Sequence, residues 1–190
     1  MVMKKGDLSD ILKTNIGKFK DYVALATVNP DNYQETNIEI IRYLVQEEKI
    51  PGLYVTLNKP FNVIFNLLKK EKINTDMVVF IDAVTRTAGG NVEKTQNCLY
   101  IGNPENLSDI SVAMDQAVRQ IPSEEKFLFF DSLDTLLIYN KPITVAKFIH
   151  FLSGKMRVWK VKGIIVSLSR ESNKELIDQL NQFCDVRLEL

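Results

Sequence analysis

Apolar residues along this chain alternate between two spacings, one helical and one nearly continuous. Residues 7–20 carry Leu8, Ile11, Leu12, Ile16 and Phe19 at helical intervals, which predicts an amphipathic leading helix. Residues 22–28 form an almost unbroken apolar run, as expected of a strand buried on both faces of a parallel sheet. Asn29, Pro30, Asp31 and Asn32 then predict a turn, because Pro presets φ and Asx side chains bond their own backbone. A helix follows over residues 35–49, with Ile38, Ile41, Leu44 and Val45 on one stripe.

The same unit recurs. Strands are predicted at 53–57, 77–81, 127–130 and 163–168, with a short edge strand at 98–101 and a closing edge strand at 185–190. Helices are predicted at 61–70, where Pro60 suits a first turn, and at 108–120, 143–157 and 173–181. Residues 85–97, with Gly89 and Gly90, form the longest expected loop. Strand–helix units joined this closely call for a three-layer, doubly wound α/β domain with a mostly parallel sheet. One domain over residues 1–190 is expected, and ligands in such folds sit beyond the carboxyl ends of the strands.

Composition narrows the function classes. Lys plus Arg number 24 and Asp plus Glu number 24, so no chain-wide basic excess favours a polyanion, and nucleic acid is not the expected partner. No run approaches the roughly 18 apolar residues of a membrane span and no leader-like segment opens the chain, so a cytoplasmic protein is expected. Cys98 and Cys184 are far apart and are read as reduced, buried structural residues. His150, the only histidine, lies among Phe148, Ile149, Phe151 and Leu152 and is read as structural. Trp159 with Lys155, Arg157, Lys160 and Lys162 forms the one local basic, aromatic patch. It could contact nucleic acid or an acidic partner, or it could be a solvated helix end followed by a strand.

Several strand ends carry a family likeness. Residues 51–57, Pro-Gly-Leu-Tyr-Val-Thr-Leu, resemble the second core strand of KaiC-like proteins in the RecA superfamily. Residues 127–133, Phe-Leu-Phe-Phe-Asp-Ser-Leu, resemble the family's Walker B strand, whose Asp helps hold Mg²⁺, and residues 183–188 resemble its final strand. The likeness spans roughly residues 19–190 and implies a RecA-like P-loop fold, with an archaeal source.

That likeness places residues 29–36 at the Walker A position, G-x-x-x-x-G-K-[ST]. Thr36 matches the Mg²⁺-binding hydroxyl. Asn29 and Gln34 stand where the glycines belong, and Glu35 stands where the lysine belongs; Asn32 is polar and sits mid-loop. Glycines let the backbone N–H groups close on phosphate, and Gln34 adds bulk there. Glu35 turns attraction into repulsion, on the order of 4 kcal/mol for unit charges about 4 Å apart at an effective dielectric near 20. It also suits a first helical turn with no catalytic meaning.

The acids that activate water after the second strand in KaiC-like ATPases are replaced by Asn58 and Lys59, neither of which can accept the proton. Asp131 and Ser132 keep a Walker B look, either as a residual Mg²⁺ or ligand site or as a turn and helix cap. Asp82 ends another strand, with Thr85 and Arg86 after it, towards one edge of the sheet. Ser167, Ser169 and Arg170 follow the strand at the family's sensor region, where Arg170 could meet an anion.

The reading that follows is a KaiC-like pseudo-ATPase acting as a regulatory or protein-interaction module. No cofactor is required, although residual Mg²⁺ or nucleotide binding stays open. Two alternatives are a repurposed pocket at Asn29, Asn32, Glu35, Thr36 and Asp131, and a DNA-associated, recombinase-like role. Family rings hold nucleotide between subunits, so its loss favours a monomer or small homo-oligomer with a protein partner.

Overall fold

The computed structural model describes residues 5–90, 92, 95–169 and 174–190. Seven strands run in chain order: β1 (Tyr22–Val28), β2 (Gly52–Thr56), β3 (Val78–Asp82), β4 (Cys98–Tyr100), β5 (Phe127–Asp131), β6 (Lys162–Leu168) and β7 (Val186–Glu189). They form one sheet in the order β4-β3-β2-β5-β6-β1-β7, with every ladder parallel. The two strands expected at edges, β4 and β7, are the edges.

Parallel strands need crossovers, and helices supply them on both faces. Helices α1 (Lys5–Ile16), α2 (Tyr33–Arg42) and α3 (Phe61–Lys70) cover one face. Helices α4 (Leu107–Gln120), α5 (Leu133–Tyr139), α6 (Pro142–Trp159) and α7 (Lys174–Leu180) cover the other. Successive strand residues point to opposite faces, so each strand feeds both cores. Leu128 and Phe130 pack under α4 to α7, and Phe127 and Phe129 under α1 to α3. Because both faces are covered, strands read as continuous apolar runs. Gly52 is needed for packing, since a Cβ there would lie 2.3 Å from the Phe127 ring.

Three expectations are corrected. The leading helix stops at Ile16, and Phe19, expected on its apolar stripe, is exposed beyond it. The helix expected from residue 35 begins at Tyr33 and runs on into a π-helical turn, Tyr43–Glu47. Helix α5 had no counterpart in the sequence reading, because its apolar residues prolong the preceding strand pattern without a polar stripe. Residue 173, parts of the 85–97 loop and Arg170 lie outside the described residues.

The minor sequence candidates resolve individually. His150 is exposed on α6, with its ring 4.6 Å from that of Phe183. Cys98 and Cys184 are free and half-buried rather than fully buried. Burial pushes Cys98 up to about 12, helped by the Asp82 charge, and Cys184 up to about 11.

The basic patch near Trp159 divides. Trp159 donates to Asp115 at 3.0 Å, Lys155 lies 3.8 Å from Asp115, and Arg157 bonds Asp185 at 2.8 Å. Lys162 leaves the patch altogether. It is buried at the amino end of β6 and held by Glu48, which accepts at 2.5 Å. Burial alone would raise the Glu48 carboxyl, but the Lys162 ammonium and the Tyr43 hydroxyl outweigh it and hold it below its ordinary value.

Candidate functional site

The carboxyl end of the sheet brings together residues from three connections. Asp131 ends β5 and is fully buried, directly in register with Thr56 at the end of β2. Its carboxylate accepts hydrogen bonds from the Tyr33 hydroxyl, from the Tyr54 hydroxyl at 2.5 Å and from Asn58 Nδ2 at 3.1 Å. Asn58 Nδ2 also reaches the Tyr33 hydroxyl at 2.9 Å. Tyr33 comes from the first turn of α2, Tyr54 from the middle of β2 and Asn58 from the loop after it. The site therefore exists only because β1, β2 and β5 end at the same level.

Burial is the main reason the Asp131 carboxyl is pushed up to about 8, and the nearby Asp134 carboxylate adds to it. The three donors favour the anion and act against this rise. The Tyr54 hydroxyl is also raised, chiefly by burial, against a hydrogen bond with Asn37 that lowers it.

The residues expected at the phosphate loop fold locally rather than around a ligand. Asn29 Oδ1 accepts from Asp31 N at 2.9 Å, closing an Asx turn. Pro30–Asn32 make one turn of 3₁₀ helix, and Tyr33 opens α2. Gln34 and Glu35 are exposed, while Thr36 is buried within α2. Glu35 thus occupies the first helical turn, where an acid is favourable. Gln34 turns towards the β2 loop and its Oε1 accepts from Lys59 Nζ at 2.5 Å. Ser132 sits at the N-cap position of α5 but makes no capping bond with its side chain, and the Asp131–Ser132 peptide is cis.

The structure therefore joins Gln34 and Asp131 to one small site, together with Asn58 and Lys59. Asn29 and Asn32 stay in the turn, and Glu35 points to solvent. Tyr33 and Tyr54 were missed in the sequence. Tyr33 fell inside the expected loop, but a buried tyrosine hydroxyl needs a partner, and Tyr54 in a buried strand carried that signal.

The space left at this site is small. The cavity lined by Tyr33, Asn37, Tyr54, Lys59, Leu68 and Asp131 holds about 20 Å³, room for about one water. Asn37 Oδ1, on the cavity wall, and Asn58 Oδ1, on the side chain that bonds Asp131, are buried acceptors without a hydrogen-bond partner. A Mg²⁺–nucleotide complex does not fit this arrangement. Both Asp131 oxygens already accept hydrogen bonds. Among the described residues no three His, Cys, Asp or Glu side chains cluster as a metal site.

Asp82, the other buried strand-end acid, is separate. It accepts from Phe61 N at 2.7 Å, Val84 N at 2.7 Å, Thr85 N at 2.8 Å and the Thr85 hydroxyl at 2.6 Å. Every one of those donors belongs to its own loop or to the start of α3. Asp134 does similar work on the far side, accepting from Leu168 N at 2.6 Å and from the Ser167 hydroxyl at 3.1 Å.

Residues 66–190 match the model of a family of unknown function, DUF7504. The chain belongs to that family. The match includes Asp131 and Ser132 but leaves the 29–36 segment and Asn58 outside it. Curated proteins provide no sequence match.

Solved structures share the architecture of this DUF7504 member. The KaiC-like protein PH0186 of Pyrococcus horikoshii superposes with a TM-score of 0.62 at 13% identity, over 89% of this chain and 71% of that one. The uncharacterised protein PH0321 of the same organism, in complex with an unknown peptide, gives 0.63 at 14% identity over 95% and 82%. PH0250, also from P. horikoshii, gives 0.61 at 14% identity over 95% and 86%. At these identities the likeness establishes the fold, which is RecA-like as expected. No helix among the described residues is long and apolar enough to cross a membrane.

Proposed function

We propose that this DUF7504 protein is a non-catalytic RecA-type module that acts by binding a protein partner. The observation that carries the reading is the closure over Asp131: Tyr33 and Asn58 bond its carboxylate, and Lys59 bonds Gln34. These side chains come from the two segments that the family likeness assigns to phosphate binding and water activation. In this reading the Walker A segment is degenerate, and its place is taken by internal hydrogen bonds. Without nucleotide between subunits, the protein is a monomer or a small homo-oligomer. That a protein of the same fold, PH0321, holds a peptide agrees with this class of function. Isothermal calorimetry with ATP, ADP and Mg²⁺ should give no heat of binding. Micromolar affinity with turnover would remove the proposal.

A second reading is favoured by the unpartnered Asn37 Oδ1 and Asn58 Oδ1 beside Asp131. These oxygens suit a guest no larger than water or a bare cation, held at a repurposed site. A thermal-shift series with monovalent and divalent chlorides tests it, since a ligand at about 100 times its dissociation constant adds roughly 2.7 kcal/mol. A flat series, matched by an unchanged response in Asp131→Asn, would count against it.

A further inference from the structure

We propose that the outer ridge of α6 is the docking surface of this module, and that its partner is an acidic amphipathic helix of another protein. The proposal deepens the interaction-module reading and rests on it. Helix α6 has 18 residues and spans about 27 Å at 1.5 Å per residue. One side, including Val145, Phe148, Ile149, Leu152 and Met156, is buried against the sheet. On the opposite side Ile143, Lys147, Phe151, Gly154 and Val158 follow one another at intervals of four, four, three and four, which is a single helical stripe. Ile143 is 56% exposed, Phe151 47% and Val158 76%. A polar ridge would be the ordinary outcome on the solvent side of a surface helix.

Gly154 sharpens the shape. A Cβ added there would meet nothing within 4 Å, so at this point of the stripe the α6 backbone itself is open to approach. Before the amino end of the helix, the last two residues of α5, Ile138 and Tyr139, are exposed apolar side chains as well. Anchors spaced by helical turns along a stripe of this length match recognition of a helix by a helical surface.

Charge selects the occupant. Residues 141–160 contain Lys141, Lys147, Lys155, Arg157 and Lys160 and no Asp or Glu, in a chain whose charges otherwise balance. Asp115 lies beside Lys155 and Asp185 holds Arg157, but Lys147 has no bonding partner among the described residues. It stands on the ridge one turn from Ile143 and one turn from Phe151. A second copy of this chain is a poor occupant. Antiparallel pairing of two α6 ridges would set Lys147 beside the Gly154–Lys155 region, and parallel pairing would set it against itself. Like charges in either arrangement repel. A helix with apolar residues at i, i+4 and i+7 and glutamates on its flanks meets both features.

The test uses the full chain and a lactam-stapled helical peptide with leucines at those positions and glutamates beside them, followed by ¹⁵N NMR. The expected result is saturable binding, with shifts confined to α6 and its turn from α5. Phe151→Ser and Val158→Ser, both exposed, should keep the wild-type Tm and weaken binding at least about tenfold. Lys147→Glu should lose the glutamate peptide and accept one with lysines in place of the glutamates. The proposal is overturned by absence of shifts, by equal affinity for both peptides, or by a Lys147→Glu variant that behaves as wild type. A concentration-dependent dimer broken by Phe151→Ser, or binding to phosphatidylserine vesicles in place of the peptide, would also overturn it. Nucleotide turnover by the same sample would remove the interaction-module reading separately, leaving the peptide result to stand or fall by itself.

Discussion

Asp82 and Asp131 lie on either side of β2, both level with Thr56, and each ends an apolar strand. Both are buried. Their surroundings nevertheless differ in kind. Asp82 accepts from three backbone N–H groups and one hydroxyl, all supplied by the loop it starts and the helix next to it. Backbone donors are fixed by the fold, so this carboxylate acts as a permanent clamp. Among the described contacts, the Asp131 carboxylate accepts from side chains only, drawn from the start of α2, from β2 and from the loop after β2. Side chains can be exchanged by substitution without disturbing the backbone, so the Asp131 site is the one open to change of function. Two strand-end acids that look alike in one dimension thus serve architecture and site chemistry separately.

Removing the clamp should have the largest effect. Asp82→Ala would leave the buried amide of Phe61 and the part-buried amides of Val84 and Thr85 without acceptors, at about 1–3 kcal/mol for each group left unsatisfied. A loss of about 3–5 kcal/mol in urea denaturation is expected. A Tm within about 2 °C of wild type would show that the loop does not depend on Asp82.

A smaller and pH-dependent effect should follow at Asp131. Its native carboxyl sits at about 8, against 3.8 in the unfolded chain. Between those values the native state holds the extra proton, so this group's contribution to stability is greatest below about pH 4 and is lost as pH rises towards 8. Asp131→Asn carries no such loss. Its stability relative to wild type should therefore improve by a few kcal/mol between pH 5 and pH 8. Parallel denaturation curves for the two proteins across that range would break the contrast drawn between the two acids.

The least effect is expected at the rim. Lys59→Met removes the exposed bond to Gln34 and should change stability by less than about 0.5 kcal/mol. It should also leave the cavity closed, because Tyr33 and Asn58 hold it independently. New nucleotide binding by this variant, measured by calorimetry, would make Lys59 the gate and would sharpen the site further.

Much of the fold was legible in advance because burial on both sheet faces imposes long apolar runs, and every observed strand lies on a run read as one. Helix α5 was not, since Leu133, Leu136 and Leu137 continue the apolar character of β5 and seven residues are too few to show a period. At the site, Gln34 was singled out through the Walker A comparison, and Asn58, Lys59 and Asp131 through the family likeness at the ends of two strands. What they do there was not readable. Tyr33 and Asp131 are 98 residues apart, and Tyr54 and Asp131 are 77 apart. No local pattern encodes such a bond.

By itself, the sequence determined the class of the domain, the alternation of its elements and that residues 29–36 after β1 contain no glycine and no lysine. Those are properties of side-chain type and spacing, which act locally. Only the tertiary structure decided that Tyr33, Tyr54 and Asn58 converge on Asp131, that Asp82 is held by backbone amides, and that Lys162 is buried while the outer side of α6 is exposed. Each of those depends on which strand lies beside which, and long-range packing alone sets that order.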